Sequence, residues 1–162
     1  MILRTVSFSV NKRFMARALE LAKKSFDEGE IPVGAVVVKD GVIIGEGRNM
    51  REQKKTALSH AETEAILNAC KFLGDWRLDG CEIYVTLEPC GMCAGAIVSS
   101  RISTIVFGAY DLKYGCTDSV INIKDYPLAE KIEVYGGICE DECKAVLTDF
   151  FKAVRKGETK DN

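Results

Sequence analysis

Histidine, tryptophan and proline are scarce in this sequence of 162 residues, which contains one, one and three of them respectively. Imidazole chemistry is therefore restricted to a single position, His60. Long apolar runs are also missing: none approaches the roughly 18 residues that a membrane-spanning helix needs. Polar residues interrupt the stretch from Met1 to Ser7 too often for a signal peptide. These absences predict a cytoplasmic protein that does not enter a membrane.

Neither sign of charge dominates, because 22 lysine and arginine residues face 24 aspartate and glutamate residues. The net charge of −2 and the pI near 5.6 disfavour a large phosphate-binding surface but allow a small basic patch around one pocket. Seven cysteines, an odd number, argue against a disulfide framework. With 47% hydrophobic and 28% charged residues, the composition predicts one globular domain over 1–162, with a core at about 12–156 and a polar tail at 157–162.

Hydrophobic periodicity and turn residues predict the order of helices and strands. Helices are expected at 12–28, 60–73, 89–98 with Pro89 in the first turn, and 140–156; strands are expected at 33–39, 42–47, 81–86, 104–108 and 131–135. Asp40-Gly41 indicates a hairpin, and 49–55 is expected to be a polar, basic loop. Gly45-Glu46-Gly47 lacks the third glycine and the following helix of a dinucleotide-binding loop. The order predicts an α/β fold, a three-layer α/β/α sandwich with a mixed central sheet, in which one antiparallel hairpin precedes parallel crossovers.

Two short motifs carry the candidate chemistry. The only histidine lies two residues before a glutamate, in His60-Ala61-Glu62, and the only C-x-x-C joins Cys90 to Cys93. Both motifs are expected at helix N-termini, where the partial positive charge favours thiolates. One imidazole and two thiolates suit a catalytic zinc ion, because three protein ligands leave the fourth position open for water. Glu62, which is not itself a ligand, could then move the protons of that water.

The remaining cysteines are expected to pack as small buried hydrophobic residues. They are Cys70, Cys81, Cys116, Cys139 and Cys143.

Each motif also has a simpler interpretation. Ser59 and Glu62 could form a capping box at a helix start, and the C-x-x-C could be a thioredoxin-like redox pair. A structural zinc site would need a fourth protein ligand, which no second histidine or C-x-x-C supplies. Taken together, the motifs match the known H-x-E…P-C-x-x-C signature of zinc deaminases. That match favours a catalytic metal site.

The sequence resembles the bacterial tRNA adenosine deaminases of the TadA type, in the cytidine deaminase-like superfamily, from about Phe14 to Lys156. The matching runs are Ile31-Pro32-Val33-Gly34-Ala35-Val36, Gly45-Glu46-Gly47-Arg48-Asn49, His60-Ala61-Glu62, Tyr84-Val85-Thr86-Leu87-Glu88-Pro89-Cys90, Met92-Cys93-Ala94-Gly95-Ala96, Phe107-Gly108-Ala109 and Asp149-Phe150-Phe151. The H-A-E and P-C-x-x-C pieces are shared across the superfamily. The M-C-A-G-A and D-F-F runs are more particular to this branch.

The resemblance implies a cytidine deaminase-like fold and the hydrolysis of adenosine to inosine at the anticodon wobble position of a tRNA, with release of ammonia. It implies that His60, Cys90 and Cys93 bind one Zn²⁺ per chain. Glu62 would move protons from the water to N1 of the ring and to the leaving amine. The residues expected to contact the substrate are Asn49, Ala61, Asp111, Lys113, Phe150 and Phe151. The family also implies a homodimer in which each active site is completed by the neighbouring subunit.

The sequence departs from the family in two places near the expected pocket. Thr56-Ala57-Leu58-Ser59 replaces a usual Asp-Pro-Thr-Ala run, and the proline that usually follows the pocket asparagine is absent. The alternative substrate is a free purine base or nucleoside, as in a guanine deaminase, which would keep the same catalytic residues. Two interpretations outside deamination are a dithiol redox protein, which would need neither His60 nor Glu62, and a non-catalytic RNA-binding module.

Overall fold

The computed structural model describes residues 9–157, so the expectations for Met1 to Ser7 and for the tail after Gly157 lie outside the described residues. Along this part of the chain the helices are α1 (Lys12–Asp27), α2 (Arg51–Lys54), α3 (Ala61–Leu73), α4 (Gly91–Ser99) and α5 (Glu140–Arg155). The strands are β1 (Gly34–Lys39), β2 (Val42–Arg48), β3 (Glu82–Leu87), β4 (Thr104–Ala109) and β5 (Glu133–Tyr135). Among the same residues, no helix is both long and apolar enough to cross a membrane.

The strands form one sheet in the order β2-β1-β3-β4-β5. Strand β1 is antiparallel to both β2 and β3, whereas β3, β4 and β5 run parallel. The turn between β1 and β2 has positive φ at both Asp40 (49°) and Gly41 (76°), as a type I′ hairpin turn requires. The predicted hairpin, parallel crossovers and mixed sheet are confirmed.

Alternate residues of the central strand β3 bury opposite faces of the sheet. Ile83 and Val85 join a core that includes residues of α3 and α4. Tyr84, between them, joins a second core with residues of α1 and α5. Because side chains alternate across a strand, this division places one pair of helices on each face. The predicted three-layer α/β/α sandwich is confirmed.

Gly45 and Gly47 allow α3 to lie very close to β2. A Cβ atom at Gly45 would stand 2.4 Å from the carbonyl oxygen of Ala65, and one at Gly47 would stand 2.2 Å from that of Ala61. Any side chain here would push α3 away from the sheet, because protein interiors leave no spare volume. The glycine pair therefore seats the helix whose first turn carries Glu62.

The segment 49–55 contains the one-turn helix α2, so the prediction of a loop is wrong in part. The carboxylate of Glu30, which is 1% exposed, accepts hydrogen bonds from the backbone N–H groups of Glu52 and Gln53, both at 2.9 Å. Lys55 ends the turn in the left-handed conformation, with φ of 56°. Because the stabilising acceptor lies 22 residues before Glu52, the local sequence pattern could not indicate this helix.

Pro89 precedes α4 instead of occupying its first turn, so that prediction is wrong. The chain continues in the sheet beyond β3, because the backbone N–H of Glu88 donates to the carbonyl of Ala109 at 2.9 Å. The N-cap of α4 is Cys90, whose φ and ψ of −75° and 176° are extended. Cys90 therefore lies at the end of the sheet, and Cys93 lies in the first turn of the helix.

Candidate metal and active site

The start of helix α3 presents His60 and Glu62. His60 is the N-cap, with an extended backbone and no capping hydrogen bond from its side chain, so its imidazole is available to a ligand. Glu62 lies in the first turn and is 4% exposed. With His60 as the cap, Ser59 and Glu62 stand outside the positions of a capping box, which pairs the cap with the third helical residue. The capping-box interpretation is wrong.

The structure brings the two motifs together. Nδ1 of His60 lies 3.7 Å from Sγ of Cys90 and 3.5 Å from Sγ of Cys93, and the three ligand atoms lie within 4.8 Å of one another. A tetrahedral zinc ion, with bonds of about 2.0 Å to nitrogen and 2.3 Å to sulfur, needs ligand atoms roughly 3.5–3.8 Å apart. Both nitrogen-to-sulfur distances fit that requirement. These residues could therefore hold a metal ion.

The electrostatics of this group favour a thiolate. Hydrogen bonds from Cys93 and then from His60, which outweigh the opposing effect of burial, lower the pKa of Cys90 to about 3. The same hydrogen bond to Cys90, together with burial, raises the pKa of Cys93. The hydrogen bond with Cys90 also raises the pKa of His60. Since thiolates are the form that binds metals, Cys90 is prepared as a ligand before any ion arrives.

Glu62 is the enclosed carboxyl group of the site. Burial raises its pKa, although the hydrogen bond to Cys93 and the charge of His60 oppose that effect. A shift of this direction brings the pKa of a carboxyl group closer to neutral pH, which favours general acid–base catalysis. Glu62 is therefore suited to proton transfer beside the donor set.

These groups open into a pocket of about 900 Å³. Of the residues that the sequence predicts for metal binding, catalysis or substrate contact, those that line it are Asn49, His60, Ala61, Glu62, Cys90, Asp111, Lys113 and Phe151. Cys93 lies beneath, fully buried. Aliphatic and aromatic side chains complete the lining, including Ile31, Val33, Leu87, Tyr110 and Tyr114. The pocket thus combines apolar surfaces with a few polar groups, as sites for small planar ligands do.

Asn49 is held in place by its own amide group. Its Nδ2 donates to the carbonyl of Ile31 at 3.1 Å, and its Oδ1 accepts from the backbone N–H of Arg51 at 3.2 Å. An asparagine amide has two N–H donors and two lone pairs. Beyond these two bonds, the side chain keeps one N–H donor and one lone pair with which it can form hydrogen bonds to a ligand.

Phe150 is not brought to the pocket, contrary to the prediction that it contacts the substrate. Its side chain is fully buried and packs edge-to-face on Phe26, with ring centroids 5.5 Å apart. Phe151, the next residue, is 38% exposed and lines the pocket. Adjacent residues on a helix point about 100° apart, so only one of the pair can reach the ligand.

Glu88 is a pocket residue to which the sequence pattern gave no role. It is 2% exposed, and burial would raise the pKa of its carboxyl group. Hydrogen bonds from the hydroxyl and backbone of Ser119, and from the backbones of Asp111 and Asp118, outweigh burial and hold the pKa below its usual range. One signal was available: a charged residue that directly follows an apolar strand must find donors if it is buried.

Comparisons with known proteins identify the relatives of this chain. Residues 10–155 match the MafB19-like deaminase family. The tRNA-specific adenosine deaminase of Bacillus subtilis (strain 168) is 46% identical over 144 residues, which are 88% of this chain and 89% of that protein. The chain belongs to the family of the tRNA-specific adenosine deaminases. The resemblance stated from its motifs is confirmed, and the redox and non-catalytic interpretations give way to a hydrolytic deaminase.

Solved structures of family members and more distant deaminases share the fold. A structure from studies of A-to-I editing by tRNA:A34 deaminases at the wobble position of transfer RNA is 38% identical, with a TM-score of 0.81 over 85% of this chain and 100% of that one. A guanine deaminase from Bacillus subtilis is 42% identical, with a TM-score of 0.60 over 63% of this chain and 66% of that one. The match to the tRNA deaminase extends further along the chain than the match to the guanine deaminase.

Proposed function

We propose that this chain is a zinc-dependent deaminase that converts adenosine to inosine at the wobble position of a tRNA anticodon, with release of ammonia. The observation that carries the proposal is the group of His60, Cys90 and Cys93 beside the buried Glu62, at the floor of a pocket. The family supports the reaction. The extent of the match to a tRNA:A34 deaminase, 85% of this chain, supports the substrate.

The three donors would hold one zinc ion per chain. When bound, zinc acts as a Lewis acid that makes a water molecule nucleophilic at neutral pH. Holding the ion is the task of His60, Cys90 and Cys93, whose separations of 3.5 and 3.7 Å from nitrogen to sulfur suit tetrahedral ligands. The pocket side is left open to water and substrate.

Glu62 would carry the protons. In the overall reaction, the bond from C6 to the amino nitrogen breaks, a bond from C6 to oxygen forms, and the amine leaves as ammonia. Glu62 would take a proton from the attacking water and give it to N1 of the ring. It would then take the second proton from the new hydroxyl on C6 and give it to the leaving amine, so that inosine and ammonia are formed. Burial raises the pKa of Glu62, in the direction that favours both uptake and release of a proton.

Two polar groups would orient the base. Asn49 offers its remaining amide donor and acceptor to the ring. Ala61 lies in the first turn of α3, where backbone N–H groups have no acceptor within the helix. The apolar side chains of Ile31, Val33 and Leu87 offer surfaces against the ring. Such a pocket can hold a base that has been flipped out of an RNA loop.

The rim of the pocket would contact the neighbouring nucleotides. Asp111 and Lys113 line one side, and Phe151 of α5 lines another. Lys113 lies over the ring of Tyr114, with Nζ 5.1 Å from the centroid. Aromatic and basic side chains together are the usual means of binding single-stranded RNA, by base stacking and phosphate contact. Phe150 has no place in this contact because it is buried.

A homodimer in the cytoplasm, built from a single domain per chain, completes the proposal. After the pocket-lining Val120, large apolar side chains are exposed at Ile121, Tyr126 and Leu128. Exposed apolar side chains close together in the sequence are typical of a surface that a partner covers. Sedimentation equilibrium of the purified protein is expected to give twice the chain mass.

The test of the substrate uses one arginine tRNA with adenosine at the wobble position. We expect inosine at that position and an equal amount of released ammonia. The matched arm offers free guanine and free adenosine, because a guanine deaminase is 42% identical over part of the chain. Efficient deamination of a free base or nucleoside, with the tRNA unchanged, would replace the proposal by the free-purine alternative.

A further inference from the structure

One side of the pocket is formed by a segment that lacks regular secondary structure. We call residues 111–120 the wall segment; its members that line the pocket are Asp111, Leu112, Lys113, Tyr114, Cys116 and Val120. The segment follows β4 and carries no helix or strand of its own. Its shape therefore depends on bonds to other parts of the chain.

The carboxylate of Glu88 supplies five of those bonds, and the carbonyl of Pro89 accepts another from the backbone N–H of Cys116 at 2.8 Å. Oε1 accepts hydrogen bonds from the backbone N–H groups of Asp118 and Ser119, both at 2.8 Å, and from the hydroxyl of Thr117 at 3.3 Å. Oε2 accepts from the backbone N–H of Asp111 at 3.0 Å and from the hydroxyl of Ser119 at 2.5 Å. Oε1 thus holds the end of the wall segment, whereas Oε2 connects its beginning, at Asp111, to its end, at Ser119.

Gly115, in the middle of the segment, packs directly on the same carboxylate. A Cβ atom there would stand 2.3 Å from Oε2 of Glu88 and 2.5 Å from the carbonyl oxygen of Asp111. Asp111 in turn accepts hydrogen bonds on Oδ1 from the backbone N–H groups of Lys113 and Tyr114, both at 3.0 Å. Fixing Asp111 therefore fixes the turn that presents Lys113 and Tyr114 to the pocket.

We propose that Glu88 is a positioning residue for the polynucleotide substrate, because it holds the wall segment in the shape that contacts nucleotides next to the reacting base. This inference rests on the proposed function. Glu88 holds the wall segment. The proposed metal ligands and Glu62 lie instead at the N-caps and in the first turns of α3 and α4. Loosening the wall therefore weakens binding of the RNA and leaves the chemical step largely intact.

The variant that tests this is Glu88→Gln, which keeps the size of the side chain. The amide oxygen of glutamine can still accept from Asp118 and Ser119. Its NH₂ group, however, meets the backbone N–H of Asp111, so two donors face each other and that hydrogen bond cannot form. The variant therefore releases the beginning of the wall segment, where Asp111 sets the turn.

The experiment measures steady-state deamination of an anticodon stem-loop RNA by the zinc-loaded enzyme. For Glu88→Gln we expect KM to rise at least about tenfold, with kcat per bound zinc within about threefold of the parent enzyme. A role confined to folding would lower the active fraction, and so kcat, with KM unchanged. Zinc content and the thermal midpoint are measured for every variant, so that misfolded protein is recognised.

Gly115→Ala approaches the same carboxylate from the other side. Because its methyl group displaces the Glu88 carboxylate, we expect the same rise in KM, and the double variant with Glu88→Gln is expected to be less than additive. The matched control is Glu30→Gln. There both backbone donors contact Oε1 alone, and Oε2 has no hydrogen-bond partner among the described residues, so an amide retains the bonds and KM is expected to stay within about twofold.

The outcomes separate this inference from the proposed function. If the parent enzyme does not deaminate the stem-loop, the proposed function fails before any variant is compared. If the parent is active and both Glu88→Gln and Gly115→Ala keep its KM, the inference is wrong and Glu88 is only a structural residue. A rise in KM for Glu30→Gln of the same size would also overturn it, because the effect would then belong to any buried glutamate.

Discussion

In the mechanism that we propose, proton transfer depends on one enclosed carboxyl group, that of Glu62. Glu62→Gln preserves volume and hydrogen-bonding capacity but cannot exchange protons with water or substrate. General acid–base catalysis contributes about 10²–10⁴ in rate, and Glu62 serves both halves of this reaction. We expect deamination to fall by at least about 10⁴, with zinc still bound, as measured by inosine formation and metal analysis.

Glu64→Gln is the matched control for that substitution. Glu64 lies on the same helix, is 9% exposed, and forms an ion pair with Lys54 at 2.7 Å. It does not line the pocket, whereas Glu62 does. We expect the control to keep most of its activity. Comparable losses in both variants would mean that carboxylates in α3 act on stability and not on chemistry.

Metal binding is the second property that single residues determine. We expect the parent enzyme to carry about one zinc ion per chain. Cys90→Ala or Cys93→Ala removes one of the three proposed ligands, so we expect each variant to lose that ion. Cys70→Ala, on the C-terminal half of α3, removes a thiol outside the group of His60, Cys90 and Cys93 and should retain the ion. Elemental analysis after gel filtration measures the ratio. Full activity of metal-free protein would refute the metal site.

At the residue scale, the sequence predicted groups whose chemistry is rare and missed one whose chemistry is common. His60 is the only histidine and Cys90 belongs to the only C-x-x-C, so their pairing could be noticed without coordinates. Glu88 is one of 24 acidic residues, and its donors lie 23 to 31 residues away. Phe150 and Phe151 are chemically alike, and they differ only in the side of α5 on which each lies.

The seating of α3 on β2 decides where the active-site groups stand. Gly47→Ala would place a methyl carbon 2.2 Å from the carbonyl oxygen of Ala61 and 2.4 Å from the backbone nitrogen of Ala65. Neither backbone atom can move unless the helix moves. Overpacking of this kind costs about 1–3 kcal/mol. We expect urea denaturation to show that loss, together with a fall in kcat per bound zinc, because Glu62 shifts with its helix.

Gly95→Ala provides the comparison for that substitution. Gly95 lies within α4, and a Cβ atom there meets nothing within 4 Å. Alanine in a helix is about 0.5–1 kcal/mol more favourable than glycine. The control is therefore expected to be slightly more stable and fully active. If Gly47→Ala were as stable and as active as this control, the close approach of α3 would be unimportant.

At the element scale, every long helix and strand could be predicted because each carries its own period of apolar residues. The one-turn helix α2 could not, because its stability comes from Glu30, which precedes Glu52 by 22 residues. The start of α4 could not be placed either, because Pro89 suits both the first turn and the residue before the cap. A helix that is stabilised by a side chain far away in the sequence cannot be predicted from the pattern of its own residues.

Charge must be judged over the whole molecule, because the net charge of −2 gives no general attraction for RNA. Binding must then depend on a local group of cations. Lys113 lies at the pocket, and Lys55, Lys152 and Arg155 are exposed on α5 or the segment after α2. Lys54, also a candidate from the sequence, is paired with Glu64, so it contributes less than its charge suggests.

Salt dependence measures how many of these cations touch phosphate. Replacing Lys113, Lys152 and Arg155 together by glutamine is expected to weaken tRNA binding and to flatten the plot of log Kd against log salt by about 0.7–0.9 for each phosphate that is no longer neutralised. The matched triple replaces Lys23, Lys71 and Arg77, which are exposed and neither line the pocket nor lie on α5. The matched triple changes the net charge by the same amount. If RNA were attracted by the charge of the whole surface, both triples would change the salt slope equally. Because each cation acts within about 8–10 Å at physiological salt, we expect only the first triple to change the slope. Equal slopes for both triples would contradict local binding at the pocket rim.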